Sequence, residues 1–377
     1  MLGILTILVI FSVPLLAVPS TESTQLACSV NSVASASDLS DCSYVVIESF
    51  TVPDGVSNRS ALISAPVQFA DGALVTMAGE VTFANTTSSG PLILFEGTGI
   101  TFDGAGNTFN GNGAYYWDGL GTNGGKPKPH PFMRFVFKTS TILNSPAQAI
   151  SVEPAGPLTI NHVTVNNTAG NTEGGHNTDG FDVSASDLTI MNSVVENQDD
   201  CVAINAGSNI LFEGNYCSGG HGMSIGSISS GKYVSGVMFI GNTVVNSMYG
   251  TRIKVDSAAT SGAVSNVTYT GNNISGCTKY GVLVSQSYPE DASTPGNDTT
   301  ISNVNFIGSP TTVEVDSNAE RVTVDCGNCY GTWDWSELTT TGGEAGTIDA
   351  DKATVRPIMI VECPLTTLIV QINGGSF

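Results

Sequence analysis

Residues 158–165 read LTINHVTV, and five later stretches repeat this pattern of alternating apolar residues followed by glycine or asparagine. These stretches are LTIMNSVV at 188–195, ILFEGNYC at 210–217, VMFIGNTVV at 237–245, VTYTGNNIS at 267–275 and VNFIGSPTT at 304–312. Their starts are 30, 22, 27, 30 and 37 residues apart. A period of 20 to 50 residues with variable insertions is typical of a solenoid.

The local pattern within each repeat is that of a strand, because apolar residues alternate and turn residues follow. The composition points the same way, since a chain with 43 glycines and only 12% charged residues contains few good helix formers. We therefore predict an all-β chain that folds as a single-stranded parallel β-helix, forming one elongated domain over residues 28–343. A pair of β-sandwiches is the alternative, although sandwiches do not require similar coils at this spacing.

The N-terminal residues 1–20, MLGILTILVIFSVPLLAVPS, form an apolar run that ends in small residues. This pattern predicts a secretory signal peptide, and hence a secreted, extracellular protein. Eight cysteines and six glycosylation sequons agree with that compartment. The sequons are at Asn58, Asn85, Asn166, Asn266, Asn273 and Asn297. With 12 basic and 33 acidic residues the net charge is −21, which argues against nucleic acid or an anionic membrane as a partner.

Acidic residues recur at the period of the coils. Asp179 lies 21 residues before Asp200, and His221 lies 21 residues after it. Equal spacing in a stacked fold predicts that the three side chains occupy matching positions on neighbouring turns, about 4.8 Å apart. Asp199 can join them only if the chain turns or bulges between Asp199 and Asp200, because adjacent strand residues point in opposite directions.

A cationic element follows in the segment GTRIKVD. Arg252 and Lys254 are two residues apart and so share one face of a strand, where they predict a local anion site despite the global negative charge. Tyr280, in CTKYGVLV, lies 28 residues after Arg252, which leaves room for one further coil.

Each of these motifs also has a simpler interpretation. An Asp-Asp pair is usually a solvated turn, NTDG is a good turn sequence, and RIK is most often an exposed strand face. A calcium site formed by Asp179, Asp199 and Asp200 is the strongest alternative, because hard cations favour clustered carboxylates. The occurrence of all the motifs in order and in phase favours a catalytic cleft.

Taken together, the motifs NTD, DD, GHG and RIK resemble the signature of the polygalacturonases, a pectin-hydrolysing family of glycoside hydrolases with a right-handed parallel β-helix fold. The resemblance covers roughly residues 28–343 and is closest to the fungal endo-acting members. It is carried by YYWDGLGTNGGKPKP at 115–129, HNTDGFDVS at 176–184, NQDDCVAIN at 197–205, SGGHGMSIGS at 218–227 and TWDWS at 332–336.

The resemblance implies a function for each candidate residue. The expected reaction is endo-acting hydrolysis of α-1,4-galacturonosyl linkages in polygalacturonate with inversion, in which an acid protonates the leaving oxygen and a carboxylate activates water. Asp199 would be the general acid, Asp179 and Asp200 would activate the water, and His221 would hydrogen-bond within this network. The expected substrate-binding residues are Arg252, Lys254, Tyr280 and Asn177.

Crowding of three carboxyl groups has a separate physical consequence. Ionising all three is unfavourable, so one of them is expected to keep its proton to a higher pH than a free aspartate. No cofactor and no metal are expected, and the protein is expected to be a monomer whose partner is the pectin polysaccharide.

Other functions on this fold stay open at this point. An exo-polygalacturonase or a rhamnogalacturonan hydrolase would use the same chemistry with a different cleft lining. A calcium-dependent pectate lyase would need metal and would release unsaturated products. A non-catalytic carbohydrate-binding β-helix would release no reducing sugar from polygalacturonate.

The resemblance also implies disulfides between Cys28 and Cys42, between Cys201 and Cys217, and between Cys326 and Cys329. Cys277 and Cys363 are then left over, and either pair with each other or stay free. The C-terminal segment 344–377 departs from the family pattern. Two explanations are open for it: a cap over the end of the β-helix, or a misplaced gene boundary.

Overall fold

The computed structural model describes residues 26–356, apart from 38, 55–66, 88, 132, 135–138 and 154–155, together with 359–361 and 367–368. Nearly all regular structure in these residues is β-strand, and the strands pair in parallel except at the last pair. Each turn of the chain adds one strand to each of three stacked ladders. The predicted parallel β-helix is therefore confirmed.

The strands, numbered in chain order, fall into the three ladders as follows. The first ladder contains β1 (Ala27–Val30), β2 (Tyr44–Ile47), β5 (Leu74–Met77), β8 (Thr101–Asp103), β13 (Leu158–Asn161), β16 (Leu188–Met191), the second half of β18 (Val202–Glu213), β21 (Lys232–Ile240), β24 (Gly262–Thr270), β27 (Thr300–Phe306), β29 (Cys329–Trp333) and β32 (Lys352–Val355). The second ladder contains β3 (Phe50–Val52), β6 (Val81–Phe83), β9 (Thr108–Asn110), β11 (Thr141–Leu143), β14 (Thr164–Asn166), β17 (Val194–Glu196), β19 (Tyr216–Ser218), β22 (Thr243–Val245), β25 (Asn273–Cys277), the first half of β28 (Thr311–Asp325), β30 (Leu338–Glu344), β33 (Met359–Val361) and the antiparallel β34 (Thr367–Leu368). The third ladder contains β4 (Val67–Gln68), β7 (Ile93–Glu96), β10 (Met133–Arg134), β12 (Ile150–Val152), β15 (Phe181–Ser184), the first half of β18, β20 (Met223–Ile228), β23 (Tyr249–Asp256), β26 (Tyr280–Tyr288), the second half of β28 and β31 (Ile348–Asp349).

Helical structure in the described residues is limited to short turns. The α-helix α1 spans Gly170–Glu173, and 3-10 turns span Ala34–Ala36, Gly113–Tyr115 and Gly121–Asn123.

The sequence repeat corresponds to the first ladder residue by residue. Leu158 pairs with Leu188, which pairs with Ile210, and the series continues through Val237 and Val267 to Val304. The variable spacing between repeats is therefore absorbed by the connections, while the strands keep a fixed register.

The core is a column of stacked side chains inside the three ladders. Phe212, Phe239, Tyr269, Phe306 and Trp335 form a continuous aromatic stack, with successive ring centroids 6.0, 4.9, 4.6 and 5.4 Å apart. All five rings are buried. Such contacts add about 0.5–1.5 kcal/mol each to the burial of apolar area, so each coil stabilises its neighbours.

The asparagine of the repeated Gly-Asn pair explains why the pattern recurs at the corner between the first and second ladders. Asn215, Asn242 and Asn272 are buried, and each donates from Nδ2 to a backbone carbonyl of the preceding coil. Each Oδ1 also accepts a backbone N–H, as from Ser193 to Asn215. A buried corner leaves backbone groups without strand partners, and this ladder of amides satisfies them.

The predicted disulfides Cys28–Cys42, Cys201–Cys217 and Cys326–Cys329 are present, with Cα–Cα distances of 5.9, 5.7 and 5.8 Å. Cys277 is a free thiol within the core, and its burial raises its pKa to about 12. Cys363 lies outside the described residues.

The described part of the C-terminal segment continues the solenoid. β31 and β32 pair in parallel with the coil before them, so the ladders extend beyond residue 343. The predicted signal peptide at 1–20 and the sequon at Asn58 lie outside the described residues. Within the described residues, no helix has the length and apolar character needed to cross a membrane.

Candidate active site

The turns that lead into the third ladder place the candidate catalytic residues together. Phe181 pairs with Val202, and Val202 pairs with Met223. Because Asp179, Asp200 and His221 each precede one of these residues by two positions, they occupy the same place on three successive coils. The spacing of 21 residues therefore corresponds to one coil, as the sequence predicts.

Asp199 and Asp200 lie in the bend between β17 and β18, so the chain does turn between them. Asp199 Oδ1 accepts a hydrogen bond from the backbone N–H of Asp200 at 2.8 Å and lies 2.9 Å from His221 Nδ1. Asn177 Nδ2 donates to Asp199 Oδ2 at 2.9 Å. The bend lets both carboxylates face one cleft while the strands on either side stay in register.

Asp200 is fully buried and forms an ion pair with Lys254, whose Nζ lies 2.5 Å from Asp200 Oδ2. Ser224 Oγ donates to the other carboxylate oxygen at 2.6 Å. Burial lowers the pKa of Lys254, but the nearby charges of Asp200 and Asp199 more than offset this, and the net pKa is raised. Lys254 is therefore cationic and is directed at the carboxylates rather than at solvent.

The carboxyl groups of the cleft differ in their affinity for protons. Burial and the charge of Asp199 raise the pKa of Asp179 well above its ordinary value. Burial and the charge of Asp200 raise the pKa of Asp182 to about 7. Burial also acts to raise the pKa of Asp199, but the hydrogen bond and charge of His221, together with Lys254, outweigh it and lower that pKa to about 2. A proton therefore binds more tightly to Asp179 and Asp182 than to Asp199.

Arg252 is held beside this group by a second cluster, which we call the Asp291 cluster: Tyr249, Arg252, Lys279 and Asp291. Arg252 Nη2 lies 2.8 Å from Asp291 Oδ1, and Lys279 contacts the other oxygen of Asp291. The Tyr249 hydroxyl donates to the same carboxylate. The guanidinium also lies 4.1 Å from the centre of the Tyr249 ring, a cation–π contact.

Tyr280 stacks on Tyr249 with ring centroids 6.1 Å apart and planes within 3° of parallel. Among the described residues, Tyr249 lines the cleft and Tyr280 does not. Tyr280 is partly exposed and lies beside Tyr249, one coil further along the third ladder.

Asn177 joins the acid cluster to a loop from an earlier coil. Its Oδ1 accepts hydrogen bonds from the backbone and side chain of Thr122, at 3.1 and 3.3 Å, and from Asn123 Nδ2 at 3.2 Å. The loop is held by an ion pair at 2.8 Å between the buried Lys128 and Asp118. Since the amide oxygen is fixed by this loop, the amide nitrogen of Asn177 is directed at Asp199.

These groups line one open cleft of about 450 Å³, within the range of roughly 300–1,000 Å³ that is common for small-molecule sites. Lining residues that the sequence predictions did not include are Asn123, Gln148, His176, Asp182, Ala203, Asn205, Gly226, Ser227, Tyr249, Lys279, Tyr288, Pro289 and Asp291. The coil period could have predicted that Asp182 lies in the cleft. Asp182 pairs with Ala203, Ala203 with Ser224, and Ser224 with Arg252, so Asp182 and Arg252 occupy the same position of the third ladder. The coil period could not have predicted Asp291, because it lies on the connection between β26 and β27.

One group of side chains within the described residues has a spacing compatible with a metal ion. Asp199, Asp200 and His221 each offer an atom, and these atoms lie within 4.8 Å of one another. The donor set does not suit calcium, because calcium takes six to eight oxygen ligands and one of the three donors is an imidazole nitrogen. Lys254 already neutralises Asp200. These three residues therefore do not fit a calcium site.

The sequence of residues 42–356 matches the family described as Glycosyl hydrolases family 28. The chain belongs to this family of glycoside hydrolases. Among its relatives, an endo-polygalacturonase of Sclerotinia sclerotiorum is 43% identical over 323 residues, covering 81% of this chain and 80% of that protein. Endopolygalacturonase I of Aspergillus aculeatus is 37% identical over 325 residues, covering 83% and 84% of the two chains.

The family 28 fold is also seen in a similar solved structure. Endopolygalacturonase I from Stereum purpureum, complexed with two galacturonates, superposes with a TM-score of 0.83 at 55% identity. The match covers 87% of this chain and 98% of that chain. The polygalacturonase resemblance seen in the motifs is therefore confirmed, and this family 28 member is an enzyme of the glycoside hydrolase class.

Proposed function

We propose that the protein hydrolyses α-1,4-galacturonosyl linkages in polygalacturonate, acting within the chain and with inversion. The observation that carries this proposal is the convergence of Asp179, Asp199 and Asp200 with the cations Arg252 and Lys254 in one cleft. Carboxyl groups supply the acid and the base that glycoside hydrolysis needs, and fixed cations suit a sugar that carries a carboxylate. The relatives named endopolygalacturonase support the same substrate.

Asp199 is the proposed general acid, and Asp179 and Asp200 are proposed to position and deprotonate the attacking water. Asp179 Oδ1 is buried with no hydrogen-bond partner among the described side chains and backbone, so it is available to accept from water. Lys254 forms an ion pair with Asp200 beside it. Inversion requires the acid and the base to act on opposite sides of the sugar, and these roles assign Asp199 to one side and Asp179 with Asp200 to the other.

The proton must be redistributed when substrate binds. In the empty cleft the pKa of Asp199 is about 2 and that of Asp179 is raised, so a proton binds more tightly to the proposed base than to the proposed acid. Asp199 can act as the acid only if substrate binding raises its pKa above that of Asp179, and a galacturonate carboxylate bound nearer to Asp199 than to Asp179 would have that effect. His221, which contacts Asp199 Oδ1, is positioned to control this transfer.

The substrate carboxylates are proposed to bind Arg252 and Lys254, with Asn177 and Tyr280 supporting the cleft. Both cations are more than nine-tenths buried, where a charge-assisted hydrogen bond is strong and its loss is costly. A neutral sugar cannot use these bonds, so the cleft is expected to discriminate strongly in favour of the acidic sugar.

The place of action is proposed to be outside the cell, with the protein acting as a monomer. Three disulfides and a net charge of −21 are consistent with an exported, soluble enzyme. Exposed sequon asparagines at Asn266, Asn273 and Asn297 are candidate glycosylation sites.

One experiment tests these points together: the purified protein is incubated with polygalacturonate, with and without a chelator. Saturated products of intermediate size are expected in both conditions, and the anomer formed first should be inverted relative to the substrate. Unsaturated products that disappear with chelator would instead identify a calcium-dependent lyase. Release of monomer alone would identify an exo-acting enzyme, and no release of reducing sugar would reject catalysis on this substrate.

A further inference from the structure

The Asp291 cluster places an acidic side chain on the cations that a galacturonate chain would use. Donors from three positions converge on the Asp291 carboxylate: the hydroxyl of Tyr249, the guanidinium of Arg252 and the ammonium of Lys279. Two donors come from β23, and Lys279 lies directly before β26. Such a convergence of one hydroxyl and two cations is a receptor for a carboxylate.

The carboxylate that fills this receptor lines the cleft itself, and its side chain is only 9% exposed. Burial acts to raise the pKa of Asp291, but the bonds from Lys279 and Tyr249 and the charge of Arg252 outweigh it and lower that pKa. Asp291 is therefore a fixed anion. In a cleft that binds a polyanion, a fixed anion weakens the binding of that polyanion. Its presence beside the binding cations therefore calls for an explanation.

Arg252 retains unused capacity to bind a ligand. It is 5% exposed, and its Nε is buried with no hydrogen-bond partner in the described structure. A buried N–H without a partner costs free energy, and an entering carboxylate would satisfy it. Lys279 is half exposed at the open side of the cleft, so it is free to exchange one carboxylate for another.

We propose that Asp291 is an internal competitor for a substrate carboxylate: it holds Arg252 and Lys279 in the empty cleft and limits the affinity for acidic sugars. This inference rests on the proposed function. The two cations and Asp291 together carry a net charge of +1, whereas removing Asp291 leaves +2. Affinity for a galacturonate carboxylate is thereby kept moderate, which favours release of the acidic product.

The test is the substitution Asp291→Asn, which keeps the shape of the side chain and removes its charge. All variants are produced in a host that does not N-glycosylate, because Asn at 291 or 298 would complete a sequon. Binding of galacturonate monomer is measured by ligand-observed NMR at low and high salt, since a monosaccharide has no glycosidic bond to cleave. Removal of one negative charge from contact with the binding cations is expected to strengthen binding roughly three- to tenfold. The gain should shrink as salt screens the cluster, and binding of neutral galactose should not change.

The matched control is Asp298→Asn, which removes the same charge from an exposed position on the same connection and should leave affinity unchanged. The double variant Asp291→Asn with Lys279→Gln restores the net charge of +1 and should return affinity toward that of the parent. A structural role for Asp291 would not produce that return. Thermal unfolding confirms that each variant is folded.

The outcomes separate this inference from the proposed function. Unchanged or weaker galacturonate binding by folded Asp291→Asn, in a parent protein that hydrolyses polygalacturonate, overturns the internal competitor. A parent protein that neither binds galacturonate nor hydrolyses polygalacturonate overturns the proposed function instead. A fall in KM with little change in kcat for Asp291→Asn supports the inference independently.

Discussion

Replacing Asp199 by asparagine separates catalysis from folding, because the substitution removes the transferable proton and almost none of the volume. A positioned general acid contributes typically 10²- to 10⁴-fold to the rate, so Asp199→Asn is expected to lower kcat by about that factor.

The effect of Asp199→Asn on the free energy of unfolding follows from the three contacts of the Asp199 carboxylate. An asparagine Oδ1 still accepts from Asp200 N–H and faces His221 Nδ1, but its Nδ2 then meets the Nδ2 of Asn177. Asn177 is prevented from rotating by the loop that holds its Oδ1. One hydrogen bond is lost in a buried place, which costs about 1–3 kcal/mol of unfolding free energy.

The assay compares kcat on polygalacturonate, the affinity for galacturonate monomer and the midpoint of urea unfolding. Asp187→Asn is the matched control, because it makes the same chemical change at an exposed turn outside the cleft. A folded Asp199→Asn protein that keeps kcat within tenfold of the parent would refute the assignment of Asp199 as the acid. A loss of activity that coincides with unfolding would refute the claim that the role is chemical.

Three further outcomes are expected. Lys254→Met leaves the buried Asp200 without its counter-ion and should lower the unfolding free energy by about 3–5 kcal/mol, measured in urea. Gly121→Ala would place a Cβ 2.2 Å from Asn177 Oδ1 at a φ of +56°; it should lower kcat/KM on polygalacturonate at least tenfold with little change in melting temperature. Because the pKa of Asp182 is raised to about 7, the folded state binds more protons than the unfolded state between about pH 4 and 7, so stability falls as pH rises through that window. Asp182→Asn should remove this fall, of up to roughly 4 kcal/mol, and urea midpoints at pH 4 and 7 should be closer together than in the parent.

The fold was predictable because the repeat carries its own register. Apolar residues two apart within each repeat became the buried residues of the first ladder, and the Gly-Asn pair became a hydrogen-bonded corner. Both features depend only on neighbouring coils, so the local sequence is enough to predict them. The connections carry no such constraint, and their lengths alone do not give their conformations.

The same distinction explains which site residues were found. Asp179, Asp200 and His221 lie at one position of successive coils, so spacing located them. Asp291 reaches Arg252 from a long connection, and no period predicts that contact. The sequence predicted that one of the three crowded carboxyl groups keeps its proton to a higher pH, without saying which; burial and the charge of Asp199 raise the pKa of Asp179, whereas the hydrogen bond and charge of His221 outweigh burial and lower the pKa of Asp199.

The lengths of the coils account for the form of the cleft. From Phe181 through Val202 to Met223 each coil adds only 21 residues, so successive turns stack with no room for a loop, and their carboxylates are brought close together. Longer coils lie further along the solenoid on both sides, and their extra residues form the walls: the loop at 115–128 on one side and the connection that carries Asp291 on the other. A solenoid can therefore crowd like charges where its coils are short and surround them with counter-ions and ligands where its coils are long. The site depends on that contrast, because a loop inserted between the acidic turns would separate the carboxylates whose mutual repulsion keeps a proton in the cleft.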